Sequence, residues 1–231
     1  MIYKKITEGK FISRPNRFIA NIEINGKTEI CHVKNTGRCK ELLQPGARVF
    51  LSESDNPQRK TRFDLIAVYK GNVLFNIDSQ APNKVFGEWL KESGYFGSIT
   101  RIKPECFYKK SRFDFYFEYN GKKAFAEVKG VTLENKGIFM FPDAPTERGV
   151  RHLNELCEAL EDGYEAYAVF ILQAQGATSF TPNEETHPQF AEALFNANQK
   201  GVKILCLDCT VTPASLKIDK FIPLHIGFKP E

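Results

Sequence analysis

The sequence predicts a mixed α/β (α+β) protein in two parts, a small β-barrel over residues 1–82 followed by an α-β-β-β-α-β domain over 83–231. The first 80 or so residues hold short alternating runs separated by turn dipeptides, with no long helical stripe, the pattern of a small barrel. From residue 83 onward, helical and extended patterns alternate. In the middle of that second part, two alternating runs flank Asn120-Gly121, the strongest short-range signal for a hairpin.

The barrel strands are expected at 10–13 with 17–24, then 28–34, 47–53, 62–70 and 73–78. Asn25-Gly26, Pro45-Gly46 and Gly71-Asn72 supply turns. Residues 78–83, with Pro82, read as the connection to the second domain. There Asn83 can cap a helix over 84–93 that stops at Gly94. Strands follow at 98–108, 111–119 and 122–131, then a loop over 132–145. Leu153, Leu156, Cys157 and Leu160 recur at helical spacing, so a helix is expected over 146–162, stopped by Gly163. The apolar run 165–173 reads as a buried strand. A helix over 188–200 buries Phe190, Ala193, Leu194 and Ala197 and stops at Gly201, and a strand over 202–210 closes the pattern.

The hairpin carries the chemistry. A two-residue turn at Asn120-Gly121 sets Tyr119 opposite Lys122 and, by count, Asp114 opposite Glu127. Phe113, Phe115 and Phe117 then form one core face with Val128, Ala126 and Ala124. Like charges directly opposite on a sheet are unfavourable. Two carboxylates ~4–5 Å apart repel by about 3–4 kcal/mol at an effective dielectric near 20. A divalent cation between them reverses the sign. Lys129 follows Glu127 by two residues and projects from the same face. Two acids and a lysine on one patch are the equipment of a magnesium-dependent phosphodiesterase, with Mg²⁺ (or Mn²⁺) as the expected cofactor.

The formal charge is only +4, but residues 1–83 hold 14 Lys/Arg and 8 Asp/Glu. The basic excess belongs to the barrel, which is either a polyanion-binding surface or a basic but inert one. Arg14, Arg17, Arg38, Arg59, Lys60 and Arg62 lie on or beside its proposed turns and are the candidate nucleic-acid contacts. The N-terminus lacks an apolar signal core and no run is long enough to span a membrane, so a cytoplasmic protein with reduced thiols is expected. Cys206 and Cys209 are spaced C-x-x-C, but in a strand that spacing puts them on opposite faces.

The element order of the second domain resembles the core of the PD-(D/E)XK nuclease superfamily, whose hairpin supplies an Asp and an E-x-K, matched here by Asp114, Glu127 and Lys129. The customary Pro before that Asp is Phe113. Further motifs extend the resemblance along the chain. They are Asn-Arg-Phe at 16–18, Asn-Thr-Gly-Arg at 35–38, Arg-Lys-Thr at 59–61, Ser-Arg-Phe-Asp at 111–114, Glu-Val-Lys-Gly-Val-Thr-Leu at 127–133, Phe-Pro-Asp-Ala-Pro-Thr-Glu-Arg-Gly at 141–149 and Phe-Thr-Pro-Asn at 180–183. Together they are similar to the sugar fermentation stimulation protein A (SfsA) family. That resemblance implies an N-terminal OB-like barrel, a nuclease-like second domain, DNA binding and a role in regulating sugar (maltose) utilisation.

On this reading Asp114 and Glu127 hold the metal, with the carbonyl of Val128 as a third oxygen, and Lys129 orients water or stabilises charge. Glu88, on the first helix, is either a further ligand or a solvated side chain. Gln173 either orients substrate or water, or caps the sheet edge. Arg148, Arg151 and His152 sit at the start of the second helix, where cations oppose the dipole unless an anion is near. Phosphate explains them, and so do Glu147 and Glu155 as partners. Two functions stay open: a metal-dependent nuclease, and a DNA-binding regulator without cleavage. No basic recognition helix is present to read bases.

Overall fold

Asn25 and Gly26, with φ of 51° and 76°, make the turn between β2 (Ile19–Ile24) and β3 (Lys27–Val33) in the computed structural model, which describes residues 1–35 and 37–227. Both turn residues need positive φ, and Asn and Gly tolerate it best. β1 (Ile6–Asn16) pairs with β2 on one side and with β4 (Arg48–Glu53) on the other. β5 (Phe63–Lys70) pairs with β4, and its parallel pairing with β3 closes a five-stranded barrel; β6 (Val73–Asn76) extends β5. This closed barrel is the OB-like domain. Among the described residues no helix is long and apolar enough to cross a membrane.

The second domain is built on a six-stranded sheet in the order β15-β14-β12-β9-β8-β7. β7 (Ile99–Tyr108), β8 (Ser111–Tyr119) and β9 (Lys122–Val131) form an antiparallel meander. β12 (Glu165–Leu172) runs parallel to β9 and to β14 (Lys203–Thr212), and β15 (Ser215–Phe221) returns along β14. One face is covered by α1 (Ala81–Glu92). The other is covered by α2 (Glu147–Glu161) and α3 (Pro188–Lys200). β9 and β12 are therefore buried on both sides. Cys206 and Cys209 fall into different core clusters, on opposite faces, and all six cysteines are free.

Several elements depart from expectation. α1 begins at Ala81 with Pro82 in its first turn, where a missing N–H costs nothing; Asn83 is inside the helix and not its cap. The expected loop 132–145 contains a hairpin of β10 (Leu133–Asn135) and β11 (Ile138–Phe141). Its turn, Lys136-Gly137, has the same positive φ values as the Asn-Gly turns but hides behind a lysine. β11 then pairs in parallel with the four-residue β13 (Ser179–Pro182). β15 alternates buried Leu216 and Ile218 with exposed Lys217 and Asp219, a strand the sequence reading ended too early to include.

The domains are joined by polar contacts. Lys70 bonds Glu134 at 2.7 Å, and the Asn76 N–H donates to the Gln173 carbonyl at 2.9 Å.

Candidate active site

β8 and β9 pair in the expected register, with Tyr119 opposite Lys122 and Phe115 opposite Ala126. The ladder stops there, so Asp114 does not pair with Glu127. Its Oδ2 instead accepts the backbone N–H of Val128 at 2.7 Å, and its Oδ1 accepts Nδ2 of Asn83 at 2.7 Å. A side-chain carboxylate has taken the place of a strand carbonyl, and the two strands part around it. Side-chain alternation breaks at the same point. Phe115 packs on Phe86 of α1, whereas Phe113 packs on Phe125, Tyr108 and His152 on the other face. The expected common face thus holds for Phe115 and Phe117 and fails for Phe113. Across β7, Glu105 lies between the partners of Phe113 and Phe115, and its φ of 53° marks the same irregularity.

Glu127 is 4% exposed. Its Oε1 accepts from Lys129 Nζ at 2.5 Å and from His152 Nδ1 at 2.5 Å. Its Oε2 is buried with no hydrogen-bond partner among the described residues. Arg148 Nε donates to His152 Nε2 at 3.3 Å. A guanidinium can only donate, so Nε2 must be the accepting nitrogen, and the ring proton lies on Nδ1, aimed at Glu127.

The two carboxyls are pushed in opposite directions. Burial raises the Asp114 carboxyl above the ordinary carboxylate range, and the charge of Glu127 raises it further; the Val128 N–H, Lys129 and Asn83 offset this only in part. At Glu127 burial also pulls upward, but His152 and Lys129 outweigh it and hold the group below its ordinary value. A divalent cation would satisfy both the unpartnered Oε2 and the strained Asp114. Two carboxylates and a backbone oxygen are hard ligands of the type Mg²⁺ takes while keeping several waters. Among the described residues no group of three or more His, Cys, Asp or Glu side chains is placed to hold a metal; a cation here would have to rely on the acid pair plus backbone.

Glu88 does not join it. Its carboxylate binds the N-terminal ammonium at 2.6 Å. Five residues along a helix is a rotation of about 140° from Asn83, which does face Asp114. Gln173 is buried, and its amide donates to Asn76 Oδ1 at 2.9 Å and to the Asp78 carbonyl at 3.1 Å. It caps the sheet end against the barrel and has no donor left for substrate. His152, grouped from the sequence with Arg148 and Arg151, is instead buried and turned to Glu127. Gly149, His152, Leu153 and Leu156 follow the i, i+3, i+4, i+7 spacing of a buried stripe, and that spacing is the signal for it.

Of the candidate barrel cations, three are occupied. Arg14 donates to the carbonyls of Arg17, Asn35, Gly37 and Arg38 and so pins the loop. Arg59 makes a two-pronged bond to Asp64 at 2.7 and 3.0 Å. Arg62 binds Glu53 at 2.9 Å and lies over Phe63. Lys60 and Arg151 are exposed with no side-chain partner among the described residues, and so are Arg17 and Arg38. Within the 35–38 motif, Thr36 lies outside the described residues. Glu147 pairs with His187 at 3.3 Å, so it is not the partner of Arg148.

Comparison with known proteins agrees with this architecture. Residues 12–77 match the family model for the SfsA N-terminal OB domain, and residues 80–215 match that for the sugar fermentation stimulation protein RE domain. The sugar fermentation stimulation protein homolog of Desulfitobacterium hafniense (strain Y51) is 59% identical over 226 residues, covering 98% of this chain and 99% of its own. The chain belongs to the sugar fermentation stimulation protein A family. A second SfsA homolog, from Ruminiclostridium cellulolyticum, is 57% identical and covers 98% of this chain and 100% of its own. The solved structure of Pyrococcus furiosus SfsA in complex with Ca²⁺ matches with a TM-score of 0.89 at 27% identity, over 98% of each chain.

Proposed function

We propose that this SfsA-family protein hydrolyses phosphodiester bonds in nucleic acid, with DNA as the first substrate to test. Asp114 and Glu127, with the Val128 carbonyl, would hold Mg²⁺ or Mn²⁺. The observation that carries the reading is the buried, unpartnered Oε2 of Glu127, in an acid pair whose other member is raised by burial and by its neighbour. An open carboxylate oxygen beside a second buried carboxylate is an arrangement that a divalent cation would satisfy. The Pyrococcus furiosus relative was solved with Ca²⁺, a divalent cation of the same oxygen-seeking class.

When bound, such a cation polarises the phosphate and lowers the pKa of a water. The chain's own residues supply the rest. Lys129, at the mouth of the site, brings an ammonium to the oxygens where charge develops. His152 fixes the rotamer of Glu127 by its Nδ1–H, so that the open oxygen faces the site. Arg148, exposed one turn earlier on α2, offers a cation to a neighbouring phosphate. A regulator that kept the fold without cleavage would have no use for the acid pair and the lysine together.

The test is a cleavage screen with Mg²⁺ and Mn²⁺ over single-stranded, duplex and branched DNA, run beside Asp114→Asn and Lys129→Ala. The wild type should cleave at least one substrate class and both variants should lose cleavage while keeping affinity. Inactivity of the wild type across the screen, or activity surviving both substitutions, defeats the proposal.

A further inference from the structure

We infer that the substrate is an unpaired strand, held in the cleft between the two domains before it reaches Lys129. This rests on the nucleic-acid reading above and narrows it. A cleft of about 760 Å³ runs between the barrel loops and the segment 141–146 that precedes α2. Besides Arg14, which is engaged with backbone carbonyls, its cations are Arg17, Arg38 and Lys40, all exposed and without a side-chain partner among the described residues. Arg17 and Arg38 are two of the three candidate barrel cations left over once Arg14, Arg59 and Arg62 are accounted for; the third, Lys60, does not line the cleft. Beside these cations lie apolar Ile12, Leu43 and Phe141, with one carboxylate, Asp143, on the 141–146 side.

Beside the cleft the surface recesses toward the stretch of β9 that follows Lys129. A smaller recess of about 170 Å³ shares Gly37, Phe141 and Asp143 with the cleft and includes Gly130, the residue after Lys129 on β9. Glu127 itself is almost fully buried. A phosphate must therefore be brought inward to the carboxylates, not merely laid across the surface.

The mixture of linings separates the two forms of nucleic acid. A duplex turns its bases inward and offers an outer surface of phosphate and sugar, which calls for cations alone. A single strand exposes bases as well as phosphates, and a groove with cations beside apolar surface matches both. A single strand also bends into a recess where a stacked duplex cannot follow.

The test measures affinity apart from cleavage. Fluorescence anisotropy of one labelled sequence, as single strand and as duplex, is recorded in EDTA for wild type and for Arg38→Ala/Lys40→Ala. Tm is measured on both proteins to show that the fold is unchanged. The wild type should bind the single strand at least tenfold more tightly than the duplex. The double variant should lose about tenfold in single-strand affinity. Its salt dependence, plotted as log K against log salt, should be shallower by about 1.4, the loss of two phosphate contacts on a single strand. Equal affinity for the two forms, or single-strand binding untouched by the double substitution, overturns the inference even if Mg²⁺-dependent cleavage is found. Single-strand preference in a protein that cleaves nothing upholds the cleft and overturns the nuclease reading instead.

Discussion

His152 Nδ1 lies 2.5 Å from Oε1 of Glu127, and both groups are almost fully buried. The contact ties α2 to β9 and fixes which carboxylate oxygen is left open. Arg148 on the far side of the ring sets the tautomer, so a surface cation, a buried imidazole and a candidate metal ligand form one line.

His152→Ala should weaken Mn²⁺ binding about 10–100-fold, the usual cost of removing a group that orients a ligand. His152→Asn, whose amide N–H can stand where the Nδ1–H was, should recover most of the loss. Isothermal titration of each variant with Mn²⁺ reads this without reference to cleavage. Equal affinity in the Ala variant would show that Glu127 needs no orienting partner.

Glu88→Gln should leave Mn²⁺ affinity unchanged, because its carboxylate serves the N-terminal ammonium. Half of that side chain is exposed, so the ion pair is of the weak surface kind and Tm should move by no more than a degree or two. A marked fall in Mn²⁺ affinity would restore the residue to the metal site.

The contrast between Glu88 and Glu127 shows how far the residues alone could be read. The hairpin was legible because Asn120-Gly121 fixes its turn and the turn fixes the register as far as Phe115 and Ala126. Counting one residue further failed, because Asp114 breaks the ladder with its own side chain, and nothing in an alternating pattern announces that. Helix phase was a second limit. The start of α1 at 81 and not 84 leaves the helix in place, but which of its residues faces the acid pair, Asn83 and not Glu88, is set by tertiary packing. The basic excess of the barrel is read directly from the sequence. Which of its cations are free depends on long-range pairs such as Arg59 with Asp64 and Arg62 with Glu53, and local sequence does not encode that choice.

Asp64 gives a pH prediction for the barrel. Burial raises its carboxyl, but Arg59, Lys34 and His32 outweigh it and hold it down to about 2. A folded value below the unfolded one of ~3.9 stabilises the native state above that pH, and the contribution is lost as pH falls toward 2. The difference is worth about 2 kcal/mol at pH 7. Asp64→Asn should lower Tm by about 4–8 °C at pH 7, and its gap to the wild type should narrow between pH 4 and pH 3. Thermal melts across that range check it, and a gap independent of pH would mean that the network stabilises by packing and not by charge.

Asp114→Asn should make the metal-free protein more stable, not less. The aspartate is buried beside Glu127, and its carboxyl is raised because the ionised form is disfavoured there. At neutral pH the native state carries that cost; a raised value means stability is gained as pH falls and lost as it rises through the folded value. Asparagine removes the charge and keeps the shape. Its oxygen can still accept the Val128 N–H, and its amide can donate to Asn83 once that side chain turns its own oxygen inward, so no buried group is stranded. In EDTA at pH 7 the variant should melt about 2–4 °C above wild type, corresponding to about 1 kcal/mol. Mg²⁺ or Mn²⁺ should reverse the order. A ligand that binds only the folded state stabilises it by mass action, about 2.7 kcal/mol at a hundredfold excess over Kd, and the wild type alone keeps both carboxylates to use it. Melts of the two proteins with EDTA and with rising Mn²⁺ should therefore cross. If the variant melts lower in EDTA, Asp114 is held there for the fold; if the wild type gains nothing from Mn²⁺, the acid pair does not hold a cation.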